Sequence, residues 1–81
     1  MGVKKPKVEF DYSKLRGRIV EKCGTLEAFS NEVNISLTAL SKKLNNKMEI
    51  TRDNIISWSE VLDIPQEDFG VFYFVKKLND V

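Results

Sequence analysis

The sequence lacks histidine altogether and holds a single cysteine, Cys23. The common metal sites and nucleophilic triads need one or both of these residue types, so they cannot be assembled from this chain. The four glycines are scattered, which excludes a glycine-rich phosphate-binding loop. A lone cysteine cannot form an internal disulfide, which is typical of a protein in a reducing cytoplasm. We therefore expect a protein that is not an enzyme and that binds neither a cofactor nor a metal.

Long apolar runs are also missing. No stretch approaches the ~18 residues of a membrane-spanning helix, and the N-terminus lacks the apolar segment of a secretory signal. The chain has 81 residues, of which 42% are hydrophobic, and this favours one small folded domain over a disordered chain. We expect a soluble protein of the cytoplasm.

Charge is distributed unevenly along the chain, although the net charge is only +1. Residues 1–22 hold seven basic and three acidic side chains, a net charge of +4. Residues 23–47 have a net charge of +1, and residues 48–81 one of −4. The first part should attract a polyanion and the last part should repel it.

Residues 1–9, MGVKKPKVE, are predicted to form a flexible basic arm, because Pro6 interrupts any helix there. Residues 10–78 are then a single domain.

Apolar spacing and capping residues predict an all-α bundle of five helices. Asp11 can cap the first helix and Gly24 can end it. Thr25, Ser36 and Thr51 can cap the second, third and fourth, and Pro65 lies near the start of the fifth. The apolar positions recur every three or four residues, as helices require. The predicted inward residues are Leu15, Ile19 and Cys23; Leu26, Phe29 and Val33; Leu40 and Leu44; and Ile55, Ile56, Ser59 and Leu62.

The segment FGVFYFVKKL is apolar on two sides and is left open between helix and strand. As a helix it would carry Phe69, Phe72 and Tyr73 on one stripe. Val71, Phe74, Val75 and Leu78 would form a second stripe. One small core cannot cover both, so one stripe could face a partner.

The second and third helices have the pattern of a helix-turn-helix, which needs a small residue at the crossing and a tight turn. Ser30 occupies the crossing position, and Asn34 accepts the left-handed backbone of such a turn. At ~100° per residue, Thr38, Ser41 and Lys42 share the outward face of the third helix with Asn45. Hydroxyl, amide and ammonium groups bind base edges and phosphates, so this face is a candidate for contact with DNA.

The stretch from Thr25 to Lys47, T-x-E-x-F-S-x-x-V-N-I-S-x-x-x-L-S-K-x-L-N-N-K, resembles the helix-turn-helix of lambda repressor-like, Cro-type regulators. FDYSKLRGRIVEKCGT and VLDIPQEDF resemble short Cro-type and modulator proteins of temperate phages of Gram-positive bacteria. The resemblance spans roughly residues 10–74.

This resemblance implies a transcriptional regulator, repressor or activator, that binds double-stranded operator DNA in the major groove and associates with the nucleoid of a bacterial host. A homodimer is expected, since two half-sites raise affinity and selectivity. The resemblance implies base contacts by Ser36, Leu37, Thr38, Ser41, Lys42 and Asn45, and phosphate contacts by Thr25, Lys47 and Arg52.

An antirepressor, or modulator, that binds the phage's main repressor protein is the alternative. The outward face of the third helix has no Gln or Arg for bidentate base contacts, and Leu26 stands where the family often has Gln. The surplus apolar residues could then form a protein interface: Trp58, Phe72, Phe74 and Val75. A third reading is a module that only dimerises.

Overall fold

The computed structural model describes residues 9–77, and within that range the fold is an all-α bundle of five helices, as predicted. A single turn of 3-10 helix precedes the last α helix. The longest helices have 11 residues, and no helix of the described part is long and apolar enough to cross a bilayer. The helices are α1 (Ser13–Cys23), α2 (Leu26–Glu32), α3 (Leu37–Leu44), α4 (Arg52–Leu62) and α5 (Phe69–Tyr73), with the 3-10 turn at Gln66–Asp68.

The helix ends follow the predicted capping residues. The side chains of Thr25, Ser36 and Thr51 each accept a hydrogen bond from the backbone N–H three residues later, at 3.0, 3.0 and 3.1 Å. Each bond satisfies one N–H that has no partner within its helix. Gly24, at φ 87°, ends α1 and donates its N–H to the Val20 carbonyl. The N-cap of α1 is Tyr12 rather than the predicted Asp11, which lies one residue earlier and accepts a hydrogen bond from the Ser13 N–H.

The core is built around aromatic and branched side chains from all five helices. Phe29 and Trp58 meet edge to face, with ring centroids 5.5 Å apart. Trp58 is 1% exposed, and Ile56 is 49% exposed although it was expected to point inward. The reason is the spacing: Ile55, Trp58, Ser59 and Leu62 form one i, i+3, i+4, i+7 stripe, and Ile56 lies ~100° away from it. The buried hydrophobic residues are Tyr12, Leu15, Ile19, Phe29, Leu40, Leu44, Ile50, Ile55, Trp58, Leu62, Ile64, Phe72 and Tyr73.

The helix-turn-helix forms as the spacing predicts. Ser30 is buried at the crossing of α2 and α3, and its hydroxyl donates to the Glu27 carbonyl at 2.7 Å. Asn34 adopts φ 64° in the turn, and the Ile35 N–H donates to the Ser30 carbonyl at 3.0 Å. A small side chain and a left-handed turn residue therefore set the angle between the two helices.

The C-terminal segment, left open between helix and strand, uses both conformations. It is helical to Tyr73, and Lys76 then forms an antiparallel bridge with Phe10. The bridge has two hydrogen bonds, from the Asp11 N–H to the Val75 carbonyl (2.6 Å) and from the Lys77 N–H to the Glu9 carbonyl (2.9 Å). The two apolar stripes separate as expected over the described residues: Phe72 and Tyr73 are buried, Phe69 is half-buried, and Val71, Phe74 and Val75 are exposed. Leu78 and residues 1–8 of the basic arm lie outside the described residues.

The Asn46 side chain holds the segment before α1 against the loop after α3. Its Oδ1 accepts from the Phe10 N–H and its Nδ2 donates to the Phe10 carbonyl, both at 2.9 Å. The Asn46 backbone is left-handed, at φ 61°. One side chain thus satisfies both backbone groups of Phe10 that point away from Lys76.

A buried hydroxyl pair joins α4 to α5. Ser59 Oγ and Tyr73 Oη are 3.0 Å apart and share a hydrogen bond. Burial raises the pKa of Tyr73, because the phenolate would lose its hydration, while the bond to Ser59 lowers that pKa to a smaller extent. The neutral phenol is the form that fits this site.

Replacing Asn46 with glycine should destabilise the protein, whereas the same change at Asn34 should not. Glycine accepts the left-handed backbone at both positions, but only Asn46→Gly removes two hydrogen bonds from partly buried groups. We expect a loss of about 1–3 kcal/mol in the free energy of unfolding for Asn46→Gly and a change within about 1 kcal/mol for Asn34→Gly. Urea denaturation followed by circular dichroism measures both, and equal losses would contradict this account of Asn46.

Tyr73 should make the fold sensitive to alkaline pH. The unfolded side chain ionises near its ordinary pKa of 10.0, but the folded one holds its proton to higher pH. The folded state therefore binds more protons above pH 10, and the free energy of unfolding should fall as pH rises through that range. Tyr73→Phe should weaken this dependence while costing about 1–2 kcal/mol at neutral pH through the lost hydrogen bond. Urea melts at pH 8 and above pH 10 test it; the same dependence in both proteins would exclude Tyr73 as the source.

Candidate functional site

The first candidate surface is the outward face of α3. Thr38 and Lys42 are exposed there, one helical turn apart, and Leu37 is 43% exposed at the helix start. The Ser36 hydroxyl is also exposed, but its oxygen already accepts the capping bond from the Ala39 N–H. Ser41 is half-buried and Asn45 is exposed. The face is therefore present on the outside of the described fold.

Two of the expected base-reading side chains are engaged within the protein. The Arg16 guanidinium donates to Asn45 Oδ1 at 2.9 Å, and Asn45 Nδ2 approaches Ser41 Oγ at 3.4 Å. Asn45 and Ser41 would have to break these hydrogen bonds before their side chains could bind a base. Arg16 was not among the residues expected at this face, because it lies 29 positions before Asn45 and only the packing of the fold brings the two together.

The expected phosphate-contacting residues lie at different places. Thr25 caps α2 through its side-chain oxygen, and Lys47 is exposed in the loop after α3. Arg52 is exposed on the first turn of α4, where it borders an apolar groove.

Lys43, at an inward position of α3, is buried and its ammonium donates to the Glu49 carbonyl at 2.8 Å. That bond fixes the loop between α3 and α4.

The groove beside Arg52 is the second candidate surface, with a volume of about 810 Å³. It runs along α4 between the loop before that helix and α5. Phe74 and Ile56 are 52% and 49% exposed on its walls, an unusual exposure for large apolar side chains that lie together. The apolar lining comprises Ile50, Ile55, Ile56, Ile64, Phe69 and Phe74, and the polar lining comprises Glu49, Arg52, Ser59, Glu60 and Gln66.

A smaller hollow of about 280 Å³ adjoins this groove. Phe74, Glu49, Ile50 and Ile55 line both, so the two adjoin along a shared wall. Phe10 lies on the far wall of the hollow, and its ring meets that of Phe74 edge to face at 6.0 Å. We call the combined depression the α4–α5 groove.

Only part of the interface expected from the sequence is on the surface. Phe74 and Val75 are exposed, but Trp58 and Phe72 are 1% and 9% exposed and belong to the core. Trp58 lies on the buried stripe of α4, and the Arg18 guanidinium covers the Phe72 ring at 5.0 Å from its centroid. Ile56, rather than Trp58 or Phe72, is exposed at the surface. Its position ~100° away from the buried stripe of α4 was the feature of the sequence that could have indicated this.

The single cysteine offers little chemistry. Cys23 is half-buried at the end of α1, and burial, with a smaller effect of Glu32, raises the pKa of its thiol. A raised pKa leaves less of the nucleophilic thiolate at neutral pH. The two surfaces, rather than Cys23, are the candidates for function.

Comparisons with known proteins identify related chains. A family model described as "Protein of unknown function (DUF739)" matches residues 8–76. The solution structure of the modulator of repression (MOR) of the temperate bacteriophage TP901-1 from Lactococcus lactis is similar, with a TM-score of 0.73 and 37% sequence identity. The match covers 80% of this chain and 88% of that one. No curated protein sequence matches the chain.

Proposed function

The chain belongs to the family described as DUF739, and from this premise we propose that it is a modulator of repression: a non-enzymatic protein that binds a phage repressor in the bacterial cytoplasm. The similarity to the modulator of bacteriophage TP901-1 over most of both chains supports this role. It is the role that the sequence offered as the alternative to operator binding.

The α4–α5 groove is the observation that carries the proposal. It offers exposed aromatic and branched side chains for burial against a partner, and such side chains supply most of the affinity of protein interfaces. The combined lining holds two carboxylates, Glu49 and Glu60, and two cationic groups, Arg52 and Lys47. Charged groups of both signs therefore surround the apolar side chains, as in the polar rim of a protein interface.

Direct operator binding through α3 is the second candidate function. The formed helix-turn-helix and the exposed side chains of Thr38 and Lys42 favour it. The bonds among Arg16, Asn45 and Ser41 oppose it, since they occupy groups that would read bases. A homodimer that matches two operator half-sites belongs to this candidate.

Substitutions in the groove should weaken repressor binding, whereas a matched one on α3 should not. We expect Phe74→Ala and Ile56→Ser each to raise the Kd for the cognate repressor by about tenfold or more, because each removes an exposed apolar side chain from the groove wall. Leu37→Ser removes an exposed apolar side chain of similar accessibility from α3 and should leave the Kd unchanged. Calorimetric titration of purified repressor measures all three.

The stability of each variant is the control for this comparison. Phe74 and Ile56 are about half-exposed, so urea melts should remain close to that of the parent protein. Repressor binding that is lost in Leu37→Ser and kept in both groove variants would contradict the assignment of the groove.

The protein alone should not bind the early promoter region of the phage at micromolar concentration in a gel-shift titration. The reason is that the outward face of α3 has no Gln or Arg for a bidentate base contact, and the Asn45 side chain is hydrogen-bonded to Arg16 and Ser41. A shifted protein–DNA band would instead support the second candidate function, provided that it weakens with salt and is lost in Thr38→Ala or Lys42→Gln.

A further inference from the structure

The bridge between Phe10 and Lys76 has one covered edge and one open edge. Its two hydrogen bonds join the residues on either side of this pair and not the pair itself. In an antiparallel ladder that pattern turns the backbone groups of the central pair away from each other. Those of Phe10 point to the Asn46 amide, which binds both. Those of Lys76 therefore point outward on the opposite side.

The Lys76 edge is open in the part of the chain that the structure describes. The Lys76 N–H and carbonyl have no hydrogen-bond partner among residues 9–77, and the side chain is exposed. Val75 beside it is 41% exposed. An extended segment that pairs antiparallel with this edge would exchange two backbone hydrogen bonds with Lys76, as the Asn46 amide does with Phe10.

The charge beside the open edge is not neutralised by the neighbouring strand. Successive residues of a strand point to opposite faces, so Lys76 shares a face with Phe10. The carboxylates Glu9 and Asp11 lie on the other face with Lys77, and Lys77 pairs with Glu9 at 3.7 Å. Within the described residues Lys76 forms no ion pair.

The hollow beside Phe10 does not change this balance. It is lined by one cation, Lys47, and one carboxylate, Glu49, so its net charge is zero. A segment with a carboxylate opposite Lys76 therefore complements the edge, because directly opposed residues of paired strands interact most closely. An apolar residue next to that carboxylate would cover Val75.

A second copy of the chain does not suit the edge. Lys76 is the residue that turns its backbone groups outward in the described part of this strand, so a copy related by a two-fold axis would place two Lys76 side chains directly opposite each other. Like charges in that position destabilise strand pairing, and lysine on an edge strand protects against self-association.

We propose that the edge of residues 75–77 binds an extended segment of the repressor by strand addition, with an acidic residue opposite Lys76 and an apolar one opposite Val75. The edge adjoins the α4–α5 groove, since Phe10 and Phe74 line that groove, so one partner can contact both. The identity of the partner rests on the proposed function; strand addition at this edge does not.

Proline substitutions test the direction of the edge, because proline lacks the backbone N–H. Lys76→Pro removes an N–H that has no partner in the described fold, so its urea melt should stay close to that of the parent protein. Lys77→Pro removes the hydrogen bond to the Glu9 carbonyl and should destabilise the fold.

Repressor affinity separates the backbone from the charge. The Kd should rise about tenfold in Lys76→Pro, which loses the donor and the charge, and about two- to fivefold in Lys76→Gln, which loses the charge alone. Lys14→Gln removes the same charge from α1 and should leave the Kd unchanged. A Kd that is also unchanged in Lys76→Pro would overturn the proposal and leave the proposed function intact.

Amide hydrogen exchange reports on the edge in the unmodified chain. In the free protein the Lys76 N–H should exchange rapidly and the Lys77 N–H slowly, because only the second is hydrogen-bonded. Saturation with repressor should slow exchange at Lys76. The capped peptide acetyl-Thr-Val-Glu-Val-Thr-amide at millimolar concentration should shift the Lys76 amide signal, and the same peptide with lysine in place of glutamate should not.

Three results of these measurements would contradict strand addition. They are rapid exchange at Lys76 in the repressor complex, a glutamate peptide without effect on its signal, and protection of Lys76 that grows with the concentration of the protein alone, which would assign the edge to a second copy. If no variant binds the repressor, the proposed function fails and the peptide titration still decides whether the edge accepts a strand.

Discussion

The paired hydrogen bonds between Asn46 and Phe10 are the constraint on which the rest of the surface depends. They join the loop after α3 to the segment before α1, two parts of the chain separated by 36 positions. Phe10 can then pair with Lys76 and place its ring against Phe74. Without this attachment the wall of the α4–α5 groove would have no support on its N-terminal side. A polar contact thus shapes an apolar surface.

The helix-turn-helix and the groove are linked by the same loop. Lys43 on α3 holds the Glu49 carbonyl, and the next residues of the loop begin the groove wall. The two candidate surfaces are therefore joined by one short loop rather than being independent features. The helix-turn-helix and an exposed apolar groove thus share one loop.

The sequence predicted the local features well and the surfaces only in part. Gly24, Thr25, Ser36 and Thr51 mark helix ends through bonds made within a few residues, and Ser30 and Asn34 act within one motif, so the pattern alone identified them. Trp58 is buried because it lies on the inward-facing stripe of α4, and Phe72 is buried in part because the Arg18 guanidinium from α1 covers its ring. The Arg16–Asn45 bond and the groove join distant parts of the chain, and single-sequence periodicity does not carry that information.

The edge-to-face contact of Phe29 and Trp58 has a consequence for optical measurements. Trp58 is the only tryptophan of the chain and is almost fully enclosed, and it is absent from the lining of the α4–α5 groove. Its fluorescence therefore reports whether the core is folded and not whether a partner is bound at the surface. Emission from this indole separates loss of fold from loss of binding in a single sample.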